Sequence, residues 1–202
     1  MAGTSFLAGV RTKDFVILAS DKIAFAFGAI VVSEEDNKEL KLGDRLYMTC
    51  MGEGGDVSNF GEWVMRNLHL YKLRNGYEIS PKAAHHWIRR AISENLRTED
   101  HWQVDLLLGG YDVNENKAFL GSVDYLGTGI ADQNFLFRGF PGRFAYAIMD
   151  KAYREDLNET EAIDLIRKCL AEAKKRFIVN LPAFRLLIID KNGARHLADI
   201  TF

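Results

Sequence analysis

The sequence predicts an α+β fold in which antiparallel sheet layers carry their helices on the outside. Strand-like runs and helical stripes come in pairs: strands, two helices, two strands, two helices, two strands. They do not alternate singly, as the βαβ units of a doubly wound parallel sheet would require. The turns between paired runs are short and polar, Thr12-Lys13-Asp14 and Lys191-Asn192-Gly193 being two of them, which suits hairpins.

Thr4–Arg11 and Phe15–Asp21 are apolar runs read as the first hairpin. Ala24–Val32 is a third apolar run, followed by the polar, acidic loop Ser33–Asn37. Leu40 and Leu42 alternate after Lys38, and Leu46–Met51 is another strand ending in Gly52-Glu53-Gly54-Gly55-Asp56. That glycine cluster opens a helix with Val57, Phe60, Val64, Leu68 and Tyr71 on one stripe, stopped by Arg74-Asn75-Gly76. Ser80-Pro81 supplies an N-cap and a first-turn proline for a second helix with Ala84, Trp87, Ile88, Ala91 and Ile92 facing inward. Two helices with a short connection form one layer.

Val104–Tyr111 is nearly all apolar, as a central strand should be, and Ala118–Val123 returns beside it. Leu126–Phe137 fits neither period, while Gly142–Ala152 reads as helix. Asn158 and Glu161 resemble a capping box ahead of the stripe Ala162, Ile166, Cys169, Leu170, Ala173, Phe177. Lys174-Lys175-Arg176 suit that helix's C-terminal dipole. Ala183–Asp190 and Ala194–Phe202 close the chain as a hairpin, with Asn192-Gly193 the favoured type I′ dipeptide.

At 202 residues, 48% hydrophobic and 27% charged, the chain is expected to fold as one domain. A net charge of −2 gives no footprint for nucleic acid or an anionic membrane. No apolar run is long enough to span a bilayer, and no secretory signal is expected at the N-terminus. Cys50 and Cys169 lie far apart without metal-ligand spacing and read as reduced packing residues of a cytosolic protein. No metal and no cofactor are expected. The glycine cluster at Gly52–Asp56 lacks the Gly-Lys-Ser/Thr ending of a phosphate loop. Asp112–Asn116 begins like a calcium loop, but Lys117 stands where its glycine belongs. Adjacent His85 and His86 do not face one site on a helix and are expected at the surface or an interface; Trp63, Trp87 and Trp102 are expected as core or interface aromatics.

One stretch carries chemistry. A cut Gly3-Thr4 bond would leave Thr4 with a free α-amine beside its hydroxyl, a nucleophile and base in one residue. By base rate Lys38 is a solvated lysine.

Thr4–Gly9 followed by Ala19-Ser20-Asp21, together with Leu70–Pro81, Tyr125–Thr128, Arg176–Pro182 and Ile189–Gly193, resembles the proteasome β subunits over essentially the whole chain, and among them the β4-type. The resemblance implies a single β-type domain over residues 1–202, with the four-layer αββα sandwich of the N-terminal-nucleophile hydrolases. It implies that Thr4 stands at the nucleophile position, Asp21 and Lys38 at the supporting aspartate and lysine, and Gly52 at the glycine whose N–H binds the oxyanion. Where active members read Gly-Ser-Gly, this chain reads Gly139-Phe140-Pro141, and the family's later aspartate and serine match Phe177 and Asn180. Losing positioned polar support around the amine costs orders of magnitude in rate. The resemblance therefore implies no catalytic residue in this chain: a non-catalytic subunit of the 20S core, with Thr4, Asp21, Lys38 and Gly52 as relics. Implied partners are the other β subunits of the ring, the α-ring subunits and the opposite β ring, in cytoplasm and nucleus, serving ubiquitin-dependent degradation. The alternative is an active threonine peptidase with Thr4 exposed by trimming residues 1–3.

Overall fold

The computed structural model describes residues 4–27 and 30–202. Gly3, and with it the Gly3-Thr4 junction and its trimming, lies outside the described residues, as does the middle of the apolar run 24–32.

Strands β1 (Leu7–Arg11) and β2 (Phe15–Asp21) form the first hairpin, with Leu7 opposite Ser20. Thr12 holds the turn: its hydroxyl accepts from the Asp14 and Phe15 N–H groups. The apolar run that follows contains two short strands, β3 (Ala24–Ala26) and β4 (Ile30–Ser33), which pair with each other as a two-stranded sheet. Then β5 (Glu39–Gly43) and β6 (Leu46–Gly52) lead into α1 (Gly54–Asn75) and α2 (Pro81–Asn95). Glu53 caps α1 by accepting from the Asp56 N–H, and Gly76 ends it at φ 77°, a conformation that favours glycine. Ser80 caps α2 through the Ala83 N–H, with Pro81 in the first turn.

Strands β7 (Val104–Asp112) and β8 (Lys117–Val123) continue the sheet, and β7 is its central strand, in the order β5-β6-β7-β8-β9. The unreadable stretch contains β9 (Gly129–Ile130) and β10 (Phe135–Arg138), which join different sheets. The predicted helix over 142–152 is instead a 3₁₀ turn, Phe140–Phe144, followed by the short α3 (Tyr146–Ala152). The Asn158 capping box of α4 (Glu159–Arg176) is complete in both directions, at 2.9 and 3.0 Å. The last segment, β11 (Ala183–Asp190), β12 (Gly193–His196) and β13 (Ile200–Thr201), is a hairpin with a broken return strand. Its turn is not type I′. Lys191 and Asn192 keep negative φ, only Gly193 crosses over at φ 133°, and Asp190 closes the turn by accepting from the Asn192 N–H.

The first sheet runs β10-β1-β2-β11-β12, with β13 also on β11. One core lies between this sheet and α3–α4, around Phe6, Ile17, Met149, Ile166 and Phe184. A second lies between the other sheet and α1–α2, around Met48, Phe60, Ile88 and Leu106. A third, around Leu18, Leu107, Leu120 and Leu187, joins the two sheets face to face. These cores define four layers, helices–sheet–sheet–helices, as the resemblance implied.

Two local expectations need correction. His85 is not a surface histidine. Its ring is buried over β8 and β9, where Gly121 and Gly129 leave room for it, and its Nε2 donates to the Ser122 carbonyl. His86 is exposed. Lys38 is not solvated either, being 7% exposed. Trp63 and Trp87 stack with ring centroids 5.0 Å apart at the outer side of the helix layer, with Trp63 and Trp102 also on Phe60.

Candidate functional site

Asp21 ends β2 with its side chain fully buried, and β1 passes beside it. Its Oδ2 accepts from the Phe6 N–H at 2.7 Å and its Oδ1 from the Ile23 N–H at 3.1 Å. Lys38, just ahead of β5, reaches in from the other sheet. Its ammonium meets Asp21 Oδ1 at 3.1 Å, the Asp21 carbonyl at 3.2 Å, the Ile23 carbonyl at 2.8 Å and Asp36 Oδ2 at 2.8 Å. An ammonium has three N–H groups, so these four oxygens use all of them. None of the four belongs to Thr4. Burial pushes the Asp21 carboxyl above the ordinary carboxylate value, while Lys38 and the Phe6 and Ile23 N–H groups pull it back.

Thr4 lies half-buried just ahead of β1. β1 pairs with β10 in a register that sets Leu7 opposite Arg138. Gly139 sits so close to the Ser5 carbonyl oxygen that a Cβ there would run into it, and its φ of 89° suits glycine alone. Gly52 ends β6 one residue before the cap of α1, where a Cβ would run into the Gln103 carbonyl oxygen. The tight strand-to-helix turn is therefore real.

Phe140 and Phe177, at the positions matched to the family's serine and aspartate, come together. Their ring centroids are 6.0 Å apart and tilted by 30°. The Arg143 guanidinium lies 5.2 Å over the Phe140 ring, and Phe144 meets the same ring edge-on. Phe177 is the C-cap of α4 and packs onto the core beneath it, whereas Asn180 is exposed. So the structure joins Asp21 with Lys38 and Phe140 with Phe177, and leaves Asn180 exposed.

Asp36 is the site residue that sequence reasoning missed. It lies in the polar, acidic loop Ser33–Asn37. Its one signal was a carboxylate two residues before a lysine already matched to a buried position. Both cysteines are buried and free, and burial pushes each thiol up to about 12, so neither is a nucleophile at neutral pH.

The comparisons agree with this architecture. A family model described as proteasome subunit matches residues 1–189. The chain is 56% identical over 197 residues to proteasome subunit beta type-2 of Caenorhabditis elegans, covering 98% of this chain and 99% of that one. It is 35% identical over 193 residues to proteasome subunit beta type-4 of Saccharomyces cerevisiae, covering 96% of each. It is 35% identical over 190 residues to proteasome subunit beta type-2 of Oryza sativa subsp. japonica, covering 94% of this chain and 88% of that one. With its two packed sheets, its outer helices and these matches along its length, the chain belongs to the proteasome family, as a β subunit that assembles with other subunits in the core.

Proposed function

We propose that this chain is a non-catalytic, β4-type subunit of the 20S core. Its contribution to protein degradation is then made through its contacts in the β ring, with the α ring and with the opposite β ring. The observation that carries this reading is the Phe140–Phe177 pair. Two aromatic rings occupy the positions from which an active member would supply a hydroxyl and a carboxylate. Rings accept no hydrogen bond from an α-amine strong enough to hold it in line with the Thr4 hydroxyl. The Lys38 ammonium, spent on Asp21, Asp36 and two carbonyls, supports the same reading. The test is a core particle carrying Thr4→Ala. Hydrolysis of a panel of fluorogenic peptides should stay within about twofold of wild type, against the orders of magnitude that losing a nucleophile costs. Loss of any one cleavage class by tenfold or more would overturn the reading.

One observation favours the alternative, an active threonine peptidase: Asp21 and Lys38 remain paired at 3.1 Å. That reading requires an N-terminus at Thr4. Intact mass of the chain from native particles, followed by labelling with a threonine-directed electrophile, separates the two.

A further inference from the structure

A cavity of about 430 Å³ opens beside Phe140, where the ends of β6, β7 and β10 meet the 3₁₀ turn and α3. Gly142 lets that turn lie flat on β10, because a Cβ there would run into the Phe137 side chain. Met51 and Phe137 line the cavity from the buried side. Phe140 and Tyr146 line it from the open side, 48% and 39% exposed. The charged groups at its wall are Asp105, Arg138 and Arg143.

The two guanidiniums differ in how they are answered. Arg138 donates to the Ser122 hydroxyl at 2.8 Å, and its charge attracts the Asp105 carboxylate. Asp124, which repels Asp105, accepts from the Leu126 and Thr128 N–H groups. Arg143 is exposed, and among the described residues it meets no carboxylate. It is positioned all the same, 5.2 Å over the Phe140 ring, which Phe144 and Phe177 brace in turn. A cation held by its face over a ring keeps the N–H groups along its edge free. That edge is a fork of donors shaped for a carboxylate.

Exposed aromatic rings beside Met and Arg are the composition of an interface centre, not of a solvated face. The chain belongs to a family of subunits that assemble with one another. We propose that this cavity is a socket for a carboxylate-bearing segment of another subunit of the core. The segment's apolar part packs on Phe140 and Tyr146, and its carboxylate meets the Arg143 fork. Phe140, at the position where active members carry a serine, then has a use of its own as the plate under Arg143. The proposal rests on assembly with other subunits and not on whether Thr4 is a nucleophile.

The assembled core particle carrying Arg143→Lys tests the socket. A water-soluble carbodiimide joins an amine to a carboxylate in contact with it and leaves a guanidinium unchanged. Mass spectrometry should find a bond from position 143 to an Asp, a Glu or a C-terminus of another subunit, absent from the wild-type particle. Acetylation of that amine should be on the order of tenfold slower in the native particle than in the urea-unfolded one. Arg143→Glu sets like charges together and should lower the yield of complete particles by about tenfold. Position 143 is exposed, so neither change disturbs the core. No bond from position 143 to another subunit, an amine acetylated at the unfolded rate, or an Arg143→Glu particle formed at wild-type yield overturns the proposal. None of these readouts uses peptide hydrolysis, so an active Thr4 would leave the outcome unchanged.

Discussion

A buried lysine survives only if every N–H is answered, because desolvating an ammonium costs several kcal/mol. Lys38 meets that condition through Asp21, Asp36 and two carbonyls. Lys38→Met should therefore be strongly destabilising, by about 3–5 kcal/mol, because it leaves the Asp21 carboxylate buried without its counter-charge. Adding Asp21→Asn should return part of that loss. The melting temperature of the chain, or its yield in assembled particles, reads both effects. Lys38 was legible as a site residue only through the family resemblance, since a lone lysine ahead of a strand gives no hint of burial. Phe140 and Phe177 were legible as substitutions at matched positions. Their contact was not, because 37 positions separate them and only folding brings them together.

The elements most easily read were those whose termini carry their own chemistry. Ser80-Pro81, the Asn158–Glu161 box and Gly76 fix three helix ends by local hydrogen bonds or backbone conformation, which a sequence displays directly. The stretch 126–137 was opaque for the opposite reason. Its two short strands serve different sheets, so no single period runs through it. The return strand after Gly193 breaks likewise, with β12 and β13 both pairing to β11. Gly139 shows how such a stretch is positioned: it lets β10 turn directly against the Ser5 carbonyl. Gly139→Ala should cost about 1–3 kcal/mol, from the left-handed backbone and the contact together. Thermal unfolding checks this, and Gly54→Ala, where an added Cβ meets open space, is the control.

For the whole molecule, two buried titratable groups make stability fall in opposite directions. Burial, with Arg89 and His86 nearby, holds the His85 imidazole below its ordinary value despite its bond to Ser122. The unfolded chain then binds that proton more tightly than the folded one. Stability is complete above the unfolded value of about 6.5 and declines as pH drops below it. Burial raises the Glu39 carboxyl, which works the other way and removes stability as pH rises. The melting temperature of wild type minus that of His85→Gln should therefore fall between about pH 7.5 and pH 5.5; a flat difference would show that His85 binds its proton equally in both states. The layer order was legible from the pairing of elements alone, but this pH balance was not, because it depends on which polar side chains the layers enclose.

The two sheets also differ in how they draw on the chain. The sheet from β5 to β9 is cut from one unbroken length, residues 39–130, and each of its strands pairs with the next in sequence. The other sheet takes β1 and β2 from the beginning, and their partners β10 and β11 only after residue 134. During synthesis, which adds about 5–20 residues each second, the β5–β9 sheet can be complete while the β1–β2 hairpin still has both outer edges bare. The hairpin that carries Asp21 is made before the β5–β9 sheet and enclosed after it, and the ribosome must deliver β11 before its second edge is covered.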